Sequence, residues 1–424
     1  MRIKTEIYNL WHQLRKGIIQ VFSASVINKI VVMLSNMVIT RMLTKDEYGI
    51  WSYVLNIYSY AHLAMGLGLA AGALQFGAEN RDKPEENQYY RYCALTGVFV
   101  NLPIILLFLI GTFTGMLSIS EAGSYIRIYL PIIIFEYLID LFMTILRCRN
   151  QFSKYSRLLT LNTVLVAVCT CAGSLFGVGG VVAGKYIAAI LSIVVIVCVT
   201  RSMFPAIIHS PQLSKPQKRG LWHYSIFNGV SSALNRLLYL IDVSMVAALI
   251  KSTSDLANYK VATLIPNSLT FIPSSVIICI LPNVVANNKN LPWLKKNVKK
   301  TFLCLLAVNV FISLTVIILA PFIISFVSGK QYMPSVLPFR VLVAGYCISG
   351  TFRALSVNVL AALKKVNFNV VCSLISCLAD VSLNYFCITK FGMIGAAYAT
   401  VGVECIVSVL AFSYLFRIMK KGSI

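Results

Sequence analysis

Charge is scarce in this chain. Asp, Glu, Lys and Arg make up 12% of its 424 residues, against about 25% in soluble domains. Acids are scarcer still, 14 against 37 Lys and Arg. The 12 cysteines form no CxxC pair and lie almost wholly in apolar stretches, which excludes a disulfide framework or a thiolate metal site and leaves them as small packing residues. Four histidines without ligand spacing exclude a histidine metal centre. Long polar segments are missing too. With 58% hydrophobic residues, the chain cannot cover a water-facing surface and belongs in a bilayer.

The apolar residues fall into windows of about 20, the length that crosses a hydrocarbon core of about 30 Å as a helix. They predict spans at 18–40, 48–72, 91–113, 125–147, 156–177, 179–200, 223–250, 258–281, 301–327, 336–361, 368–388 and 393–416. The fold class is therefore all-α and polytopic. The N-terminus, "MRIKTEIYNLWHQLRKGIIQVF", has no small-residue cleavage site, and Ile3, Ile7, Leu10, Trp11 and Leu14 share one helical face. We read residues 1–17 as an interfacial amphipathic segment rather than a signal peptide.

With the N-terminus in the cytoplasm, 25 of the 37 basic residues lie on cytoplasmic connections and tails and seven on the other side. The positive-inside rule then places both termini in the cytoplasm. The net charge of +23 reads as an orientation signal and not as a nucleic-acid footprint. The short corner "RMLTKDEYGIWSY", residues 41–53, becomes the external turn between spans 1 and 2. Residues 201–222, with three prolines, read as a cytoplasmic linker between six-span lobes at 18–200 and 223–416, followed by a basic tail at 417–424.

The halves resemble each other. "FGVGGVVAGKYIAAILSIVV" from Phe176 lies over "FGMIGAAYATVGVECIVSVL" from Phe391, an offset of 215, and Tyr48 lies over Tyr259, an offset of 211. Two lobes of like orientation imply a pseudo-twofold along the membrane normal and a substrate site near the midplane. "GGVVAGKY", residues 179–186, satisfies GxxxxGK, but Tyr186 stands where Ser or Thr should hold magnesium and the stretch opens a span. The glycines serve helix packing.

Ionisable residues inside a bilayer face the bundle interior, a partner or a water-filled cavity. Lys29, Arg236 and Arg353 are the candidates for a cationic cavity that takes an anionic head group. The competing reading makes them structural ion pairs, Arg236 with Asp242 for one. Arg340 and Lys185, near span ends, are expected to snorkel. Glu136 and Asp140, spaced i, i+4, and the single acids Asp242, Asp380 and Glu404 either carry a coupling proton or sodium or pair with cations such as Lys185 and Arg147. His62 reads as a packed polar residue. Asn28, Asn36, Asn56, Asn228 and Asn235, with Tyr53 and Tyr58, either hydrogen-bond sugars or join helix to helix. No catalytic residue, metal or cofactor is expected.

"LTKDEYGIWSY", "GLGLAAGALQFGAENRD", "YLIDVSMVAALI" with "ANYKVATLIP", "ILPNVV" and "SLNYFCITKFGMIGAAYATV" resemble, in that order along the whole chain, the polysaccharide exporters of the multidrug/oligosaccharidyl-lipid/polysaccharide (MOP) superfamily, and most closely their O-antigen flippase (Wzx) branch. The resemblance implies two six-helix lobes around a cationic cavity lined by spans 1, 2, 7 and 8. It also implies export of an undecaprenyl-diphosphate-linked oligosaccharide across the bacterial inner membrane, alongside a polysaccharide polymerase and a chain-length regulator. Lys29 and Arg236 match the cavity by location. A cation-coupled multidrug exporter of the same superfamily is the alternative; a membrane enzyme of polysaccharide assembly fits less well, for the external corners leave little room for a catalytic site.

Overall fold

A computed structural model describes residues 23–114, 117–286, 290–363 and 365–421. The segment 1–17 and the last residues of the basic tail lie outside the described residues. Among these the regular structure is helical, without a strand. A backbone immersed in hydrocarbon must satisfy its own N–H and C=O groups, and the helix does so within one segment.

In chain order the helices are α1 (Ser23–Met42), α2 (Lys45–Leu63), α3 (Leu69–Glu79), α4 (Pro84–Phe113), α5 (Ala122–Tyr129), α6 (Ile132–Cys148), α7 (Phe152–Gly173), α8 (Gly177–Thr200) and α9 (Phe204–Ile208). They continue with α10 (Lys215–Ile250), α11 (Thr253–Leu269), α12 (Phe271–Ala286), α13 (Leu291–Ile318), α14 (Ala320–Val327), α15 (Val336–Ile348), α16 (Ala354–Ala362), α17 (Val366–Phe391) and α18 (Met393–Lys421). Among the described residues, eight helical stretches are long and apolar enough to cross a membrane, or nine if the bent pair α5–α6 is one span. One of the eight, Phe152–Thr200, is the two antiparallel helices α7 and α8. The expected spans 223–250 and 258–281 fall on α10 and on α11 with α12, which are not among the eight.

Two compact units emerge. Of the described residues, the first takes in those through Glu47 together with those of Val54–Arg236; the second takes in Tyr48–Tyr53 and those from Leu237 onward. The first has a core of Leu69, Tyr90, Tyr137, Leu141 and Leu146 among others, and the second one of Val284, Leu305, Leu355 and Leu360. Large apolar side chains such as Phe99, Leu107, Phe227 and Leu378 point outward, as a lipid-facing surface requires.

The repeat is visible in the backbone. Gly177 and Gly392, 215 residues apart, occupy the same left-handed corner, with φ 71°, ψ −163° and φ 61°, ψ −142°. That region is open essentially to glycine. In each hairpin a glycine three residues on meets the preceding helix: a Cβ on Gly180 would lie 2.1 Å from the Gly173 carbonyl oxygen, and one on Gly395 2.0 Å from that of Cys387.

At the other end the register expected from Tyr48 and Tyr259 needs correction. Helices α1 and α10 end at Met42 and Ile250, and α2 and α11 begin at Lys45 and Thr253, an offset of 208 rather than 211. Side-chain caps mark the same offset. Thr44 and Glu47 form a capping box at the start of α2, and Ser252 accepts from the Asp255 amide at the start of α11. Arg236 therefore corresponds to Asn28, next to Lys29, and the two cations sit at nearly one depth along their helices. A difference of about one helical turn disappears, because one residue is about 1.5 Å of rise.

Candidate substrate site

The first unit encloses a cavity of about 470 Å³. One face of α6 supplies Glu136, Asp140, Met143 and Arg147, at successive helical returns. Helix α8 brings in Lys185, α2 His62, and the first-unit part of α10 Asn228, Ser232 and Arg236. Next to it the second span breaks. Gly66, Leu67 and Gly68 take left-handed φ of 57°, 44° and 79° in succession, ending α2 and starting α3 in a new direction. The break is fixed by packing, since a Cβ on Gly66 would lie 2.3 Å from the Tyr137 ring and one on Gly68 2.2 Å from the Ser225 carbonyl oxygen. Asn101 secures it, its Oδ1 accepting from the Gly66 amide at 2.9 Å.

Inside the cavity Glu136 is the hub. Its Oε1 lies 3.0 Å from Lys185 Nζ, and its Oε2 accepts from the Tyr58 hydroxyl at 2.7 Å with His62 Nε2 at 3.7 Å. Lys185 thus does not snorkel: its side chain is about one-fifth exposed and held in a specific pair. His62 is likewise a cavity residue rather than mere packing. Arg147 donates to Thr144 Oγ1 at 2.8 Å, while its Nε is buried without a partner among the described residues. Arg236 is exposed and forms no hydrogen bond or ion pair with any described residue. The polarity is therefore mixed, three permanent cations facing two carboxylates, rather than purely cationic.

A second cavity, of about 620 Å³, lies within the second unit and takes Asp242, Arg353, Asp380 and Glu404 from the sequence candidates. Arg353 ends a π-helical turn, Ser349–Arg353, and its Nη1 donates to Glu404 Oε1 at 2.7 Å, the pairing reading in place of a bare cavity cation. Asp242 accepts from Asn384 Nδ2 at 2.8 Å and from Thr400 Oγ1 at 2.9 Å; the same Asn384 nitrogen reaches Asp380 Oδ1 at 3.0 Å. Neutral donors thus hold Asp242 where an arginine was the alternative. Asp380 Oδ2, Asn384 Oδ1 and Glu404 Oε2 are buried with no partner among the described residues. Lys260, counted from sequence on the outer side, also lines this cavity.

The remaining candidates fall elsewhere. Lys29, Asn28 and Asn36 lie on α1 and line neither cavity, and Asn56 is fully buried in α2, a packing position. The side chain of Asn235 is outside the described residues. Arg340 donates from Nε to the Ile317 carbonyl at 3.1 Å, near the end of α13. Sequence reasoning missed Asn384 and Thr400 and read His62 as packing, and it named Lys185 and Arg147 only as possible partners of the span-4 acids, of which Lys185 is the one paired with Glu136. Arg147 was within reach, since it continues the Glu136–Asp140 face at i+11 and i+7.

A family model described as "Polysaccharide biosynthesis protein" matches residues 14–286. The chain belongs to that family. Sequence comparison with curated proteins gives no match. Its fold is that of the MOP superfamily. The lipid II flippase MurJ in an inward closed conformation superposes with a TM-score of 0.75 at 16% identity, over 96% of this chain and 90% of that one. An inward-facing multidrug resistance MATE transporter gives 0.71 at 12%, over 93% and 95%. A MOP superfamily transporter from Pyrococcus furiosus, described as having a binding pocket of reverse polarity, gives 0.64 at 13%, over 96% of both chains.

Proposed function

We propose that this protein is a flippase that carries an undecaprenyl-diphosphate-linked oligosaccharide, an O-antigen-type repeat unit, from the cytoplasmic to the periplasmic leaflet of the bacterial inner membrane. Within a polysaccharide biosynthesis family, the observation that carries the reading is Arg236, an exposed guanidinium in a cavity beside Lys185 and Arg147. Diphosphate crossing about 30 Å of hydrocarbon must exchange water for fixed cations and donors. Guanidinium supplies bidentate contact and ammonium a point charge. Asn228 and Ser232, which line the same cavity, would meet the first sugars. The polyprenyl tail stays in lipid while the head group enters, and the site is exposed to the two membrane faces in turn.

Coupling belongs, in this reading, to the second cavity. Asp242, Asp380, the free Asn384 oxygen and the Thr400 hydroxyl form an oxygen-rich cluster suited to a proton or sodium ion. The polymerase and chain-length regulator act on the delivered unit. The same carboxylates favour the second reading, a cation-coupled multidrug exporter.

Deleting the gene and locating the lipid-linked oligosaccharide decides between them. Accumulation on the cytoplasmic leaflet is expected, relieved by wild type and Arg236→Lys but not by Arg236→Ala at equal membrane levels. Normal surface glycan with heightened sensitivity to cationic dyes would establish the exporter instead.

A further inference from the structure

One group in the first cavity, the Glu136 carboxylate, carries the same sign of charge as the anion this cavity is proposed to take. Glu136 places a carboxylate directly on the Lys185 ammonium, at 3.0 Å, where a phosphate oxygen would be expected to sit. Its position is built rather than incidental, since the Tyr58 hydroxyl fixes the other oxygen at 2.7 Å and the Tyr58 ring packs edge-on against Tyr129 at 4.6 Å. The charged and titratable groups around it are Asp140 and Arg147 on its own helix, Tyr58 and His62 on α2, Tyr129 ending α5, Tyr155 on α7, Lys185 and Tyr186 on α8, and Arg236 on α10. Tyr186 is occupied by the Ile128 carbonyl.

We infer that Glu136 is an internal stand-in for the substrate's phosphate: it neutralises Lys185 in the empty cavity and yields the ammonium to an incoming diphosphate by taking up a proton. This rests on the flippase reading, which makes the head group anionic. A carboxylate and a phosphate on one ammonium repel each other strongly at low dielectric. The carboxylate relieves this by binding one proton that the bulk buffer gives up and cavity water relays, becoming a neutral acid that still accepts from Tyr58 through its carbonyl oxygen. Lys185 keeps its protons and its charge throughout and moves from an intramolecular partner to the ligand. Release reverses the exchange, so the departing head group is replaced by Glu136 and no bare ammonium is left in the membrane.

The test uses the full chain in detergent with farnesyl diphosphate as the probe. Calorimetry in buffers of different ionisation enthalpy counts the protons taken up on binding. Wild type is expected to take up one proton more than Glu136→Gln, which is isosteric and keeps the Tyr58 bond. Glu136→Gln is expected to bind more tightly than wild type at neutral pH, with an advantage that shrinks about tenfold for each unit the pH is lowered, since only wild type must take up a proton to bind. Equal proton uptake and equal affinity in the two proteins would overturn the role of Glu136 and leave the flippase reading standing. No binding of the probe to either protein would overturn both.

Discussion

At the scale of single residues, the cavity of the first unit turns on which charges are paired. Arg236 is exposed and Lys185 is committed to Glu136, so their substitutions should differ in kind. Arg236→Ala is expected to abolish export while leaving the melting temperature in detergent within a few degrees of wild type. Lys185→Ala leaves the Glu136 carboxylate without its cation, and should lower both export and melting temperature. Adding Glu136→Gln should restore part of the stability, with a coupling of about 1–3 kcal/mol in the double-mutant cycle. Additive single effects would show that the pair contributes nothing specific. In the second unit, Asp380→Asn removes one of two carboxylates that share the Asn384 amide. We expect this variant to bind the diphosphate probe but to lose the dependence of export on a proton or sodium gradient, measured in energised vesicles.

At the scale of elements, the repeat works through glycine. Gly177 and Gly392 adopt backbone angles that L side chains avoid, and Gly180 and Gly395 let adjacent helices touch. A methyl on Gly395 would meet backbone, at 2.0 Å from the Cys387 carbonyl oxygen, and backbone cannot turn aside as a flexible side chain does. Gly395→Ala should therefore cost about 1–3 kcal/mol through separation of α17 and α18, read as a lower melting temperature. Gly111→Ala, where a Cβ would meet nothing within 4 Å, is the control and should be neutral. The GxxxxGK stretch is explained at this scale too. Its glycines serve the α7–α8 hairpin, and its lysine serves Glu136. The 215 offset was legible because that corner tolerates essentially glycine alone. The offset at the α1–α2 corner was misread by three residues, because tyrosine is welcome at many helical positions and capping by Thr44 and Ser252 marks the boundary better.

For the whole molecule, the basic residues predict an orientation, with both termini expected in the cytoplasm. Cysteine substitutions at Lys45 and at Lys295, on the two expected sides, should react oppositely with a membrane-impermeant thiol reagent in intact cells. Lys45→Cys should label and Lys295→Cys should not. Labelling of Lys295→Cys alone would invert the topology and with it the direction of transport. The sequence by itself determined the medium, the helical class and the family, because hydrocarbon imposes length and composition on every span and the positive-inside bias is a count along the chain. It also named most of the charges that matter, since an ion inside a bilayer is costly enough to stand out. Only the tertiary structure decided which of them meet. Lys185 joins Glu136 through helices that are 49 positions apart in the chain, and Asp242 meets Asn384 and Thr400 across 142 and 158. Pairing depends on how helices rotate about their axes, and that rotation is set by small-residue contacts and by breaks such as Gly66–Gly68, not by the hydropathy of any one span.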